Sequence, residues 1–283
     1  MARTFYVDGA FVPEPQARIP VMDRGFLFAD GVYEVCAVID GRLIDNRAHL
    51  ARLERSLGEL RIANPHTPED WTRLEAELVA RNGLAEGLVY MQVTRGAAER
   101  DFAFPRDARP TVVMFTQAKT ITASPQAESG VGVVSTEDLR WRRRDIKSVA
   151  LLAQVLAKQA ALEAGAYEAW MVEDGHVTEG SSSSAFIIDE ADRIVTRPLS
   201  RAILPGITRR AVVQLAAEQG LGIEERPFTL EEAYRAREAF LTSASSLVMP
   251  VVSVDGRAIG GGRPGPHARR LRQLYLEMAR AEP

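Results

Sequence analysis

Along its first half the chain's pattern of apolar and polar positions reads as strands, then helices, then strands again. Residues 5–7 and 10–12 flank Asp8-Gly9, a hairpin signal. Residues 32–39 form a long β-rich run, closed by Asp40-Gly41 and followed by a short run over 42–44. Asn46 is expected to cap a helix reaching about Arg61, with Leu50, Leu53, Leu57 and Leu60 on one face. Thr67-Pro68-Glu69-Asp70 starts a second helix with proline at its first position, and Asn82-Gly83 stops it. Residues 89–94 and 111–115 read as strands joined by a polar loop over 96–109, a candidate functional element.

Residues 119–126, rich in Thr, Ser and Pro, read as a linker between domains 1–118 and 127–283. Beyond it come a strand over 131–135 and a strand ending at Lys147. A helix is expected from about Ser148 to Ala164, its inner stripe Val149, Leu152, Leu156 and Ala160, with Lys158 on the solvated side. Asp174-Gly175 turns another hairpin, and strands continue over 185–188 and 194–196. Pro205-Gly206-Ile207-Thr208 opens a helix that ends at Gly220. Strands over 240–242 and 248–254, and a last helix from about His267 to Ala281, complete the pattern.

Composition narrows the class. At 283 residues, with 46 % apolar and 26 % charged, the chain suits a globular protein of one large or two moderate domains. A net charge of −3 gives no drive toward nucleic acid or an anionic membrane. The basic run Arg140-Trp141-Arg142-Arg143-Arg144 reads as a solvated strand edge or the rim of an anion site. A single cysteine, Cys36, excludes an intramolecular disulfide, and the four histidines lack metal-ligand spacing. The first residues are too polar for a signal peptide, and no apolar run could span a bilayer. The expectation is a cytoplasmic protein that needs no metal and has no nucleic-acid or membrane partner.

Lysine is scarce: Lys119, Lys147 and Lys158 are the only three among 35 basic residues. Its unprotonated amine is the side-chain group that condenses with an aldehyde cofactor. Lys147 lies where an extended segment meets a helix, and Glu179 later enters a small-residue loop, Gly180-Ser181-Ser182-Ser183-Ser184. Pyridoxal phosphate needs an amine, an anion for its ring nitrogen and donors for its phosphate. Lys147 and Glu179 can supply the first two. The helix start at Gly206-Ile207-Thr208 and the turn Thr242-Ser243-Ala244-Ser245-Ser246 can supply the third. Each has a plainer reading: an ion-paired lysine, an ordinary acidic turn, a helix cap. Arg52, one turn past His49, reads most simply as a surface helical arginine.

Several segments together resemble the fold type IV aminotransferases, most of all the D-amino-acid transaminases. They are Asp23-Arg24-Gly25, Gly31-Val32-Tyr33-Glu34-Val35, His49-Leu50-Ala51-Arg52-Leu53, Asp145-Ile146-Lys147-Ser148, Glu179 with Gly180 to Ser183, Pro205-Gly206-Ile207-Thr208 and Leu241-Thr242-Ser243-Ala244-Ser245. The resemblance runs nearly the whole length in the right order. It implies two α/β domains (α+β type) with pyridoxal 5′-phosphate between them, in a homodimer. It makes Lys147 the Schiff-base lysine and proton shuttle, and Glu179 the partner of the ring nitrogen. It gives Arg52, Ile207, Thr208, Ser243 and Ala244 to the phosphate, and Ser182 to the cofactor loop. Tyr33 and Arg100 would hold the substrate carboxylate, the arginine reaching in from the other subunit.

In one respect the chain departs from that pattern. Where the D-specific enzymes commonly carry a histidine two residues after the arginine, this chain has Phe102. The carboxylate trap is thereby halved, and the expectation is a D-amino-acid:2-oxo-acid transaminase, working ping-pong, that also accepts primary (R)-amines. A branched-chain L-aminotransferase, an (R)-amine transaminase or an aminodeoxychorismate lyase would share the lysine and the glutamate. A relic that only binds a ligand would be expected to lack one of them.

Overall fold

A computed structural model describes residues 2–281 and divides the chain into two units. One runs to Thr120 and takes back Ile146–Ala150; the other holds Ile121–Asp145 and the chain from Leu151 onward. In the first unit, Asp8 and Gly9 both adopt positive φ (45° and 98°), the conformation that matches the twist of two paired strands. Strands β1 (Thr4–Val7) and β2 (Ala10–Pro13) therefore pair across them. Helix α1 (Arg24–Phe28) is capped by Asp23, whose Oδ1 accepts from Gly25 N at 2.8 Å. Strands β3 (Gly31–Ile39) and β4 (Arg42–Leu43), helices α2 (Asn46–Leu60) and α3 (Pro68–Arg81), and strands β5 (Gly87–Thr94) and β6 (Thr111–Ala118) follow. The six strands form one antiparallel sheet in the order β2-β1-β6-β5-β3-β4. Leu53 and Leu57 of α2 and Trp71 and Leu78 of α3 bury against Val89 and Met91 of β5.

The second unit holds α4 (Pro125–Ser129), β7 (Val131–Glu137), α5 (Leu152–Glu163), β8 (Glu168–Glu173), β9 (His176–Gly180), β10 (Ser184–Ile188), β11 (Ile194–Thr196), α6 (Ile207–Glu218), β12 (Ile223–Glu225), α7 (Leu230–Arg235), β13 (Glu238–Ser243), β14 (Leu247–Val254), β15 (Arg257–Ala258) and α8 (Pro266–Ala281). Its sheet runs β12-β11-β10-β13-β14-β7-β8-β9, with β15 beside β14. Three of the pairings, β11/β12, β14/β7 and β7/β8, are parallel. Phe186 and Phe240 stack at 4.6 Å on neighbouring strands, both fully buried.

The structure departs from the sequence reading around Lys147. No strand ends there, and the helix begins at Leu152, not Ser148. Residues 146–150 are drawn into pairing with β3: Tyr33 N donates to Lys147 O at 3.0 Å, Val149 N donates to Gly31 O at 3.0 Å, and Val32 bridges Ser148. That engagement holds the segment extended and moves it from the expected second domain to the first unit. The division point Thr120/Ile121 lies inside the expected linker, whose last residues already open α4. Asn46 does not cap α2; Asp45 precedes the helix, and the Asn46 amide donates to Glu75 at 3.0 Å.

Helix α5 also turns the other way. The residues it buries are Ala157 and Ala161, packed with Ala169 and Met171 of β8. Leu152 and Leu156, expected inside, are 72 % and 55 % exposed. Lys158 is half-buried, its ammonium donating to Tyr167 O and lying 4.6 Å over that ring. The helix carries a leucine stripe and an alanine stripe, and the small one allows the closer approach to the sheet.

Candidate active site

In the first unit the site residues gather around β3. Strand alternation sends Tyr33 and Glu34 to opposite faces. Glu34 is 1 % exposed and lies against α2, where Arg52 and His49 stand one turn apart. Arg52 meets it with two bonds, Nε to Oε1 at 2.7 Å and Nη2 to Oε2 at 2.8 Å, and His49 Nδ1 lies 2.8 Å from Oε2. Burial raises the Glu34 carboxyl, yet the Arg52 guanidinium and the bonds outweigh it and hold it at about 2. Arg52 is thus a buried, oriented cation, not the surface arginine that its helix position suggests.

Lys147 is held by its backbone and left open at its tip. Its N–H donates to Ser56 Oγ at 3.4 Å, and its ammonium lies 4.1 Å from the centre of the Tyr33 ring. Among the described residues that ammonium makes no salt bridge, while Asp145 takes the guanidinium of Arg143 at 3.0 Å. The plain reading of an ion-paired lysine therefore fails. Tyr33 stacks on Tyr90 at 5.6 Å, and Tyr90 on Phe115 at 4.7 Å, which fixes the wall above the amine.

The loop over 96–109 is tied to its own unit. Arg24 Nη1 donates to Asp101 O at 2.6 Å and pairs with Asp30; Arg95 pairs with Asp30 and donates to the last carbonyls of α2. Arg100 sits 5.2 Å from the Phe28 ring and 5.7 Å from that of Phe102, and those rings lie 5.5 Å apart. Phe102 is 79 % exposed.

In the second unit Glu179 lies near the end of β9, 5 % exposed. Arg140 ion-pairs with it, and Leu204 N donates to its two oxygens at 3.1 and 3.2 Å. Burial pushes the Glu179 carboxyl up, against the pull of Arg140. Arg140 keeps its charge, since Glu179 and Asp138 more than offset its own burial. Arg140 and Arg144 are thus buried ion-pair residues, Arg144 holding Asp138 and Glu173, and the solvated reading of the run 140–144 does not apply to them. A carboxylate offers about four acceptor directions, so Glu179 has room for one further N–H donor.

In the second unit the segments expected to meet the phosphate offer backbone N–H groups. Gly206 precedes α6 with no side chain capping it, and among the described residues the first N–H groups, those of Ile207 and Thr208 included, have no side-chain partner. Between β13 and β14, Ser243 Oγ bonds Ser246 Oγ at 2.7 Å, leaving Ala244 half-buried with only its N–H to offer. The Ser182 hydroxyl donates to Glu168 at 2.9 Å.

The family pattern of the class IV amino-transferases matches residues 31–254. The chain belongs to that family. Among relatives of this class IV aminotransferase, the D-alanine aminotransferase of Bacillus licheniformis is 39 % identical over 264 residues, 93 % of each chain. The D-alanine aminotransferase of Staphylococcus epidermidis is 37 % identical over 95 % of each. A solved T.th. branched-chain amino acid aminotransferase with pyridoxamine 5′-phosphate superposes with a TM-score of 0.92 at 27 % identity, covering 100 % of this chain and 96 % of that one.

Several residues that organise the candidate site in this class IV aminotransferase have no role in the sequence reading. Glu34 is a lone acid within an apolar strand run, and His49 lies on the same helical face as Arg52. Glu168 is likewise a lone acid at the start of an apolar strand. An isolated charge in a buried strand is the available signal in both cases. Arg140 gives none, since it sits in a run of arginines that looks exposed.

Proposed function

We propose that this chain moves the amino group of a D-amino acid to a 2-oxo acid with pyridoxal 5′-phosphate as its cofactor. The observation that carries this reading is Lys147, an amine fixed at its backbone, set over Tyr33 and without an acid partner among the described residues. When bound, pyridoxal phosphate supplies an aldehyde that takes up amines and a ring that draws electrons from the carbon beside the nitrogen. Lys147 would supply the amine that holds the aldehyde, and the same amine would take up the proton from the donor's Cα. Glu179, buried and kept in place by Arg140, holds a proton at the ring nitrogen. Arg52 and the N–H groups of Ile207, Thr208, Ser243 and Ala244 hold the phosphate, with Ser182 in the adjoining loop. The oxo acid leaves before the acceptor enters, so the kinetics are ping-pong.

Tyr33 and Arg100 orient the substrate carboxylate. Arg100 acts between two phenylalanine faces, which gives it a directed charge but no second hydrogen-bond donor from either ring. Primary (R)-amines are therefore minor substrates. The active form is a homodimer, a reading supported by the exposed leucines of α5 and by exposed Phe26 and Phe102. It works in the cytoplasm; its one cysteine is buried and unpaired, which calls for no oxidising compartment.

Borohydride reduction followed by peptide mapping should place the cofactor label on Lys147; a label on Lys119 or Lys158 would refute the assignment. Half-reactions with D-alanine, L-leucine and (R)-1-phenylethylamine, followed by absorbance, test the substrate. Fast loss of the bound cofactor's absorbance with D-alanine is expected. Preference for L-leucine would place the chain with the branched-chain enzymes instead.

A further inference from the structure

Glu168 opens β8 with its carboxyl group buried, 1 % exposed. No lysine or arginine pairs with it among the described residues. Three consecutive serines donate to it instead: Ser181 Oγ, Ser182 Oγ at 2.9 Å and Ser183 Oγ at 3.3 Å. The N–H of Ala169 adds a fourth donor at 3.0 Å. The backbone closes the same knot, with Ser181 N donating to Ala169 O at 3.0 Å and Gly180 N to Ser183 O at 2.6 Å. A side chain on Gly180 would collide with Ser183 Oγ and press on Glu168 Cγ, so this turn is wound as tightly as a glycine permits.

The residue leading into the knot is Glu179. Its carboxylate is held from one side by Arg140 and from another by Leu204 N. Its backbone runs straight into the turn Gly180–Ser183, which backbone bonds close and whose three serine side chains are all gathered by Glu168. We propose that Glu168 is a positioning residue that sets the direction of Glu179 through the serine hydroxyls, and that Ser182 influences cofactor binding through Glu168 and not by touching the cofactor. The proposal rests on the reading of Glu179 as partner of the ring nitrogen. Without Glu168, three hydroxyls lose one common acceptor and the turn can relax. A displacement of about 1 Å at a group that must meet a ring nitrogen is costly.

The test is a double-mutant cycle on the full chain stripped of cofactor. Pyridoxal phosphate dissociation constants are measured by equilibrium dialysis for wild type, S182A, E168A, E168Q and S182A/E168A, with unfolding midpoints in parallel. S182A should weaken binding roughly three- to tenfold and E168A roughly ten- to hundredfold, the range for a lost bond to a charged group. The double variant should bind no more weakly than E168A. E168Q should recover part of the loss, because its carbonyl can accept the Ser182 and Ser183 hydroxyls and its amide can donate to Ser181, while the Ala169 N–H loses its acceptor. In E168A the pH at which the bound cofactor changes absorbance should move toward that of Glu179→Gln, a shift that a fold-only role would not produce. Equal effects of S182A in the wild-type and E168A backgrounds would overturn the proposal, since they mean direct contact. So would E168A with unchanged affinity and unchanged colour transition. If E168A does not fold, S181A/S183A takes its place in the cycle, and the same two results support or overturn the proposal. A wild-type chain that binds no pyridoxal phosphate would overturn the functional reading itself, and this control separates the two failures.

Discussion

Glu179 and Glu75 are both buried acids pushed up by burial, but they differ in what stands beside them. Glu179 has a guanidinium and a backbone N–H; its proposed task is to stay charged next to a ring nitrogen. Glu179→Gln keeps the shape and removes the charge. It should still bind cofactor yet lose orders of magnitude in turnover, each tenfold being ~1.4 kcal/mol of barrier; stopped-flow half-reactions with D-alanine check this, and an unimpaired variant would refute the role. Glu75, packed between α3 and α2, has the Asn46 amide at 3.0 Å and is raised to about 8. Its Oε1 and the Asn46 Oδ1 are buried acceptors without donors among the described residues, and a proton on Glu75 supplies one. A carboxyl raised from 4.5 to about 8 binds a proton in the folded state that the unfolded chain has released. Stability therefore falls as pH rises between those values, by on the order of a few kcal/mol. Urea unfolding at about pH 5 and about pH 8.5 should show that loss in wild type and a much smaller one in Glu75→Gln. Equal losses would disprove it. Glu34 has the opposite sign: held at about 2, it contributes stability above 4.5 that disappears as pH falls through 2.

At the scale of elements, α5 separates two roles that periodicity alone blends. Its alanine stripe meets the sheet, and its leucine stripe does not. Ala161→Leu should overpack that contact and destabilise the protein by roughly 1–3 kcal/mol, read as a lower midpoint in denaturant. Leu156→Glu should leave the midpoint nearly unchanged and weaken self-association, read by light scattering. The reverse pattern would return the helix to the orientation expected from its sequence. The loop over 96–109 offers another test. Phe102→His adds a donor beside Arg100 and removes one of its two aromatic supports. It should tighten D-amino-acid binding and depress (R)-amine turnover; if both respond alike, Phe102 only packs the loop. Elements with local signals are readable in advance: Thr67 caps α3 as its sequence says, accepting from Asp70 N at 3.2 Å, and Asp8-Gly9 turns a hairpin. The candidate lysine and acid are readable too, from scarcity and from neighbouring small residues. What stays hidden is set by distant partners. The start of α5 is displaced because β3 claims residues 146–150, and the arginines at 140 and 144 are buried by Asp138, Glu173 and Glu179.

For the whole molecule, the proposed homodimer predicts complementation. Lys147→Ala and Arg100→Ala should each be inactive alone. If the loop carrying Arg100 serves the neighbouring subunit, a mixture of the two should regain part of the activity through hybrid dimers with one intact site. No regain, with subunit exchange demonstrated by a mass-tagged chain, would mean that each subunit uses its own Arg100. The bond from Arg24 of α1 to Asp101 O bears on the outcome, because a loop held by its own subunit is presented as a fixed arm.

The stitch of Ile146–Ala150 into the first unit has a consequence in time. A ribosome delivers residues up to Thr120 before any of those five, and at about 5–20 residues per second the gap lasts a few seconds. During it the six-stranded sheet can assemble, while the backbone donor Tyr33 N and the acceptor Gly31 O wait for partners not yet made. The nascent chain thus builds the socket first and receives Lys147, the proposed Schiff-base lysine, only after the opening stretch of the second unit has been made. A protein shortened to its first 120 residues would have the sheet and the buried Glu34–Arg52 pair, but an open seam along β3 and no Lys147.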